Sequence, residues 1–300
     1  MATHKAPITG SFIDEITYDI PSSNWTAEQW KAELNHMAEV GIDTLIFIRG
    51  GFEDKTIFPS STFQTQHRDD FAGLILSEAA SRGMDVFFGL YISNLDWNHG
   101  DAAGELKKNK PFVEEIRQRY GQIPSFKGWY IPQENCCGDL NMAQILQSLS
   151  ALCKDATPEK SVMISPFFKT VLTCPDAPFT PQQHAQEWDR LFYQGGKDID
   201  ICAFQDGTAP SAQMREFYEL TAQLCAAYQI HHWVNAETFE RDVRKVYYPI
   251  PFPILKQRLA LHQTYAEKII TFEFPHFMSP QSIYPSARNL NQLYRAYYHI

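Results

Sequence analysis

No basic run in the sequence is longer than Lys107-Lys108, and the net charge is −9. Nucleic acid is held through its phosphates by clustered lysine and arginine, so this balance excludes nucleic acid as the main partner. No stretch approaches the roughly 20 apolar residues of a membrane-spanning helix, and no membrane association is expected. The opening Met1-Ala-Thr-His-Lys-Ala-Pro7 lacks the apolar core of a secretion signal, so a cytoplasmic location is the expectation. Six cysteines are present, without the spacing of a small disulfide framework. Cys202, in Ile201-Cys-Ala-Phe204, and Cys225, in a helical pattern, read as buried thiols. The vicinal Cys136-Cys137 lacks the two-to-four-residue separation and the further ligands of a zinc site. Also missing are G-x-G-x-x-G, the P-loop and G-x-S-x-G. That absence makes an open doubly wound sheet the weaker of two α/β folds.

What is present is an alternation. Short apolar runs rich in β-branched and aromatic residues lie at Ser11–Ile16, Thr44–Arg49, Asp85–Tyr91, Gly128–Glu134, Ser161–Phe167, Ile199–Gln205, His232–Glu237 and Ile269–Phe274. Between and after them, amphipathic patterns predict helices at 26–40, 67–82, 103–120, 139–155, 181–194, 211–228, 254–266 and 287–298. Thr26-Ala-Glu-Gln29 is a capping box, and Thr180-Pro181 places proline where a helix has no use for its N–H. Eight βα units predict a parallel sheet closed into a single (β/α)8 TIM barrel over residues 1–300. Such a barrel needs about 250 residues, which leaves length for extended loops. No repeat or linker divides the chain, and Pro-rich Tyr248–Pro253 reads as a loop.

In this architecture the C-terminal strand ends surround a shared cleft. Here they carry Asp14-Glu15, Arg49, Tyr91, Gln133-Glu134, Gln205-Asp206, Asn235 with Glu237, and Glu273, while the strand interiors are apolar. Buried carboxylates are costly unless paired, so their convergence points to a polar site. Period-two alternation groups Glu134 with Tyr130 and Gly128, Glu237 with Asn235 and Trp233, and Gln205 with Ala203. It also groups Arg49 with Phe47 and Leu45, Tyr91 with Gly89, and Glu273 with Thr271. Either Asp14 or Glu15 can face the cleft, and Glu15 is preferred because it shares a face with Ile13.

Two carboxyl groups across a cleft suit glycosidic-bond cleavage, one protonating the departing oxygen while the other attacks or activates water. Glu134 and Glu237 are the candidate catalytic pair. Arg49 and Tyr91 would orient one carboxylate, and Gln133, Gln205, Asp206, Asn235, Glu15 and Glu273 would meet substrate. Trp97, Phe52, Phe167 and Phe168 supply flat rings near the mouth, each of which can equally pack the core. Glu240 and Asp242 follow Glu237 closely and compete with it as ligand-facing acids.

Glutamates at the ends of strands four and seven resemble the large retaining glycosidase clan of (β/α)8 barrels. That resemblance assigns acid/base to Glu134 and nucleophile to Glu237. The clan has Asn before its acid/base, where this chain has Gln133. Gly10-Ser-Phe-Ile-Asp-Glu-Ile16, Trp25, Gln29-Trp30, Gly41-Ile-Asp-Thr44, Phe58-Pro-Ser60 and Gly128-Trp-Tyr-Ile-Pro-Gln-Glu134 are similar to bacterial glycosidase-like barrels of domain of unknown function 4434. A glycoside hydrolase acting on an oligo- or polysaccharide without metal or organic cofactor is the expectation. The alternatives are a non-catalytic carbohydrate-binding barrel and a metal-assisted hydrolase built on Asp14, Glu15, Asp206 and Glu273.

Overall fold

Eight parallel strands close into a barrel in the order β1-β8-β7-β6-β5-β4-β3-β2. The strands are β1 Ile8–Ile13, β2 Thr44–Phe47, β3 Asp85–Gly89, β4 Phe126–Ile131, β5 Ser161–Ile164, β6 Ile201–Gln205, β7 His231–Asn235 and β8 Lys268–Thr271. The computed structural model describes residues 6–16, 22–63, 69–93, 96–97, 99–139, 141–241 and 246–300. Helices α1 Ala27–Glu39, α2 Phe71–Arg82, α3 Ala102–Tyr120, α4 Met142–Ala156, α5 Pro181–Gly195, α6 Met214–Ala227, α7 Phe252–His262 and α8 Pro285–Tyr298 surround the barrel. Each strand is followed by one of them, as the alternation predicted. None of the described helices is long and apolar enough to cross a membrane.

Local sequence sets the helix ends. Thr26 and Thr180 each accept from the backbone three residues on, and Gln29 and Gln183 reach back to the cap, so both capping boxes form. Helix α2 starts at Phe71 behind the Asp70 cap, later than the pattern suggested; residues 67 and 68 lie outside the described residues.

Two apolar layers sort the core. Phe12, Ile46, Ile48, Phe87, Tyr130, Met163, Ile201, Ala203 and Ile270 fill the barrel interior with Trp233 and Phe272. Leu45, Phe47, Phe88, Trp129, Val162, Cys202, Phe204, Val234 and Ile269 belong to the larger cluster that includes the helices' buried faces. Burying a large apolar side chain contributes about 1.5–3 kcal/mol, and the outer layer holds most of them. Cys202 and Cys225 are fully buried there, and all six cysteines are free thiols.

This sorting corrects three parity assignments. On β2 the interior residues are Ile46 and Ile48, with Leu45 and Phe47 turned to the helices. On β8 they are Ile270 and Phe272, so Thr271 and Glu273 share the other face. On β1 Phe12 is interior, which places Asp14 rather than Glu15 on the pocket side. When both faces of a parallel strand are buried, apolar residues run continuously and alternation loses its signal.

The strands also end sooner than their apolar runs, and the freed residues build the rim. Gly51–Phe52 pairs with Lys55–Thr56 and Tyr91–Ile92, and Phe239–Arg241 pairs with Tyr247–Pro249. The segment read as a plain loop at Tyr248 is thus partly strand.

Candidate active site

A pocket of about 440 Å³ opens at the C-terminal ends of the strands. It brings together Glu134, Glu237, Arg49, Gln205 and Asn235 from the expected set, adds Asp14, His276 and Arg241, and has Phe167, Phe239, Tyr247, Phe272, Phe277 and Tyr284 as aromatic lining.

Glu134 follows β4. The hydroxyl of the interior Tyr130 donates to its Oε1 at 2.6 Å, and the Tyr130 ring is packed edge-on against Phe12 at 5.1 Å. A side chain four residues earlier, two periods of strand alternation, therefore fixes the carboxyl from below. Arg49 lies 3.9 Å from Asp14 and 5.6 Å from the Phe52 ring centre. Although its strand parity differs from the expectation, β2 stops at Phe47 and the chain turns, which lets Arg49 reach the pocket.

Glu237 sits two residues beyond β7 and is only 3% exposed. Its backbone N–H donates to Asp206 Oδ1 at 2.8 Å, and Arg241 Nη2 stands 3.9 Å from its Oε2. Burial first, and then the Asp206 charge, push its carboxyl up to about 8 against the pull of Arg241 and Arg258. The side chain lies over Gly207, where a Cβ would fall 1.7 Å from Oε2.

Asp206 was expected to touch substrate. It is instead fully buried, with His262 Nε2 at 2.9 Å from Oδ2 and Arg258 Nη1 at 3.7 Å from Oδ1. It holds the backbone under Glu237, because a carboxylate this deep must spend its lone pairs on fixed donors. Breaking a buried ion network by removing one member costs about 3–5 kcal/mol. Asp206→Ala is accordingly expected to lower unfolding free energy by about that amount in urea titration, and Asp206→Asn by less. An unchanged midpoint for the alanine variant would show that the network does not hold the barrel.

Several other residues expected at the site are held elsewhere. Glu15 faces away from the pocket and accepts from the Ser22 hydroxyl; burial raises its carboxyl to about 7. The Tyr91 hydroxyl donates to the Glu53 carbonyl at 2.7 Å, and its ring stacks on Phe63 at 4.2 Å. Gln133 donates to Glu105 Oε2 at 2.7 Å and to the Tyr91 carbonyl at 3.1 Å, closing the gap between β4 and α3. Trp97 packs against the outer core, as do the buried Phe52 and Phe168. Glu240 pairs with Arg258 at 2.6 Å, and Asp242 lies outside the described residues. Glu15, Tyr91, Gln133 and Glu240 each found a partner, on a loop or on α3 or α7, that strand-end position does not reveal.

Glu273 is fully buried and pairs with His276 Nδ1, while its Oε2 accepts from the Asp14 N–H at 3.1 Å. Burial raises the Glu273 carboxyl. Burial also opposes the His276 imidazolium, but the Glu273 carboxylate overrides it and holds that pKa above the ordinary histidine value. His276 lines the pocket, is 5% exposed, and its Nε2 has no partner among the described residues. Asn235 donates to Ser165 Oγ at 3.3 Å, and its Oδ1 likewise has no partner among the described residues. An unsatisfied buried donor and acceptor lining one pocket are places for a ligand's own hydrogen bonds. By position in the sequence His276 and His99 both lie on the loop side and could contact a ligand, with nothing to single either out; the Glu273-x-x-His276 spacing is the signal for His276. Among the described residues no group of three or more His, Cys, Asp or Glu is placed to hold a metal ion.

The architecture is shared with solved structures. The intracellular xylanase TsXylA of Thermoanaerobacterium saccharolyticum aligns at a TM-score of 0.55 and 13% identity, over 90% of this chain and 87% of that one. A GH10 xylanase from Thermobacillus composti aligns at 0.54 and 14% identity, over 89% and 83%. At such identities the likeness is one of fold. A Bacteroides thetaiotaomicron protein provisionally named an alpha-L-fucosidase is 34% identical, with a TM-score of 0.94 over 99% of this chain and 97% of that one. No curated protein matches the sequence. The model of Domain of unknown function (DUF4434) matches residues 8–284. The chain belongs to the DUF4434 family, built on a glycoside-hydrolase-like TIM barrel.

Proposed function

We propose that the chain is a retaining glycoside hydrolase in which Glu134 is the acid/base and Glu237 the nucleophile. The observation that carries this reading is that both glutamates, from the ends of β4 and β7, line one aromatic-walled pocket. The mechanism needs one proton between the two carboxyls. Burial holds a proton on Glu237, and Tyr130 donates to Glu134. When the glycosidic oxygen arrives at Glu134, the proton moves to that carboxyl and Glu237 becomes the anion. Glu134 then protonates the leaving oxygen as Glu237 attacks the anomeric carbon. In the second step Glu134 takes a proton from water, which releases the sugar from Glu237. His276 Nε2–H and Asn235 Oδ1 supply a donor and an acceptor for sugar hydroxyls.

The pH profile follows from the shared proton. A pair that must hold one proton loses activity once both groups are ionised, so kcat/KM is expected to fall as pH rises through about 8. A profile flat to pH 10 would contradict the proton sharing.

The test is a screen of chromogenic glycosides and natural glycans. Alpha-L-fucosides come first, because the 34% identical Bacteroides protein carries that provisional name. Proton NMR of the first sugar released then reads its anomeric configuration. Retention is expected; an inverted product would reassign Glu237 as a base acting on water.

A further inference from the structure

Two and three residues after Glu134, the chain places two thiols in contact. Cys136 Sγ and Cys137 Sγ are 3.5 Å apart. Cys137 Sγ also donates to Asp139 Oδ2 at 3.2 Å, and Lys169 Nζ stands 3.8 Å from the same oxygen. The thiols themselves are covered, but the Asp139 side chain is 73% exposed, so Cys137 is one hydrogen bond from solvent. Neither sulfur lines the pocket or enters the hydrolytic mechanism.

We propose that Cys136 and Cys137 form an oxidisable pair, closed to a vicinal disulfide by exchange with a low-molecular-weight disulfide, and that closure displaces Glu134. The sulfurs already touch, and the ammonium of Lys169, paired with Asp139, offsets that carboxylate, which opposes a thiolate at Cys137. Donation from Cys136 holds the Cys137 thiol below the usual cysteine pKa and pushes Cys136 up, which makes Cys137 the attacking sulfur and Cys136 the resolving one. In the first step the Cys137 thiolate forms a bond to one sulfur of the small disulfide, and the other sulfur leaves as a thiolate. In the second, Cys136 gives up its proton and attacks the Cys137 sulfur, expelling the second small thiolate. Two protein thiols are oxidised, one small disulfide is reduced to two thiols, and the leaving thiolates take up the protons.

Adjacency makes the product labile. Consecutive Cα atoms are about 3.8 Å apart, short of the usual lower limit of about 4.4 Å for a disulfide. Strained disulfides are readily reduced, so the pair opens again in mild thiol. Closing the ring turns the peptide between the two residues. The Cys136 carbonyl now accepts from Trp188 Nε1 at 3.2 Å, and the Cys136 N–H donates to Asn135 Oδ1 at 2.7 Å. Turning that peptide swings the Cys136 carbonyl away from Trp188, two residues from Glu134; the Cys136 N–H belongs to the preceding peptide, through which the shift reaches Glu134.

The full-length reduced protein is incubated with glutathione disulfide, digested, and its peptides are weighed. The peptide holding Cys136 and Cys137 is expected to become lighter by two hydrogens, with no glutathione attached, and to recover its mass in dithiothreitol. The change is expected to persist in Cys174→Ser, which removes the one half-buried cysteine of the six, and to be absent in Cys137→Ser. Unchanged thiols in the pair while Cys174 takes up glutathione, or a disulfide joining Cys137 to Cys174, would overturn the assignment. These masses need no sugar substrate and stand apart from the hydrolase reading. The displacement of Glu134 does rest on that reading. With a substrate in hand, oxidised wild type is expected to lose most of its kcat and regain it on reduction, whereas Cys137→Ser is indifferent to glutathione disulfide. Full activity in protein shown by mass to carry the closed pair would overturn the coupling.

Discussion

Glu134→Gln is expected to lower kcat/KM by about 10²–10⁴-fold, the usual contribution of a positioned acid or base. The amide still accepts from Tyr130, which now bonds Glu134 Oε1 at 2.6 Å, so the geometry survives and only the proton is lost. The loss depends on the leaving group. An aryl glycoside with an acidic phenol needs no protonation and is expected to form the glycosyl-enzyme at a near-normal rate, leaving its hydrolysis slow. Added azide, which needs no base, is expected to restore turnover of that substrate. Glu237→Gln removes the nucleophile and is expected to abolish both steps with every leaving group. A carbohydrate-binding barrel without chemistry would show neither pattern: sugar binding would be present and hydrolysis absent in all three proteins.

Gly207→Ala, which leaves both glutamates in the sequence, is expected to cost about a hundredfold or more in kcat, the scale of a misplacement of about 1 Å. A Cβ there would stand 1.7 Å from Glu237 Oε2 and 2.3 Å from its Cδ. Ordinary contact is about 3.5 Å, so the carboxyl must retreat by more than an ångström. It has little room, being buried above the Asp206–His262 pair. Because the intruder meets a side-chain tip rather than backbone, the barrel is expected to stay folded, with a circular dichroism spectrum and melting temperature close to wild type. Wild-type kcat in this variant would show that Glu237 does not need its present seat. Activity lost together with the fold would mean that Gly207 serves the barrel and not the site.

The two predictions differ in how far the sequence alone carries them. Glu134 and Glu237 were visible as acids at the ends of β4 and β7, and parity from Tyr130 and Trp233 pointed both inward, as the interior cluster has them. Nothing in the sequence marks Gly207 as the floor beneath Glu237. Its role depends on a contact between the loops after β6 and β7, thirty residues apart. The same limit explains Asp206, Gln133 and Tyr91. Each is polar and near a strand end, and each is consumed by a partner from elsewhere in the fold: His262 on α7, Glu105 on α3 and the Glu53 carbonyl. His276 is the reverse case, a residue of no obvious pattern made notable by the buried Glu273 beside it.

The order of elements, the closure into eight βα units and the identity of two opposed acids follow from local chemistry: apolar runs, capping boxes and period. These signals act over a few residues, so the chain states them itself. Which face of β1, β2 and β8 turns inward, and which rim carboxylates remain for a ligand, was decided by the assembled barrel. Both sides of its strands are buried, so hydrophobicity no longer distinguishes inside from outside. A polar group's fate then depends on whichever distant donor the fold delivers to it.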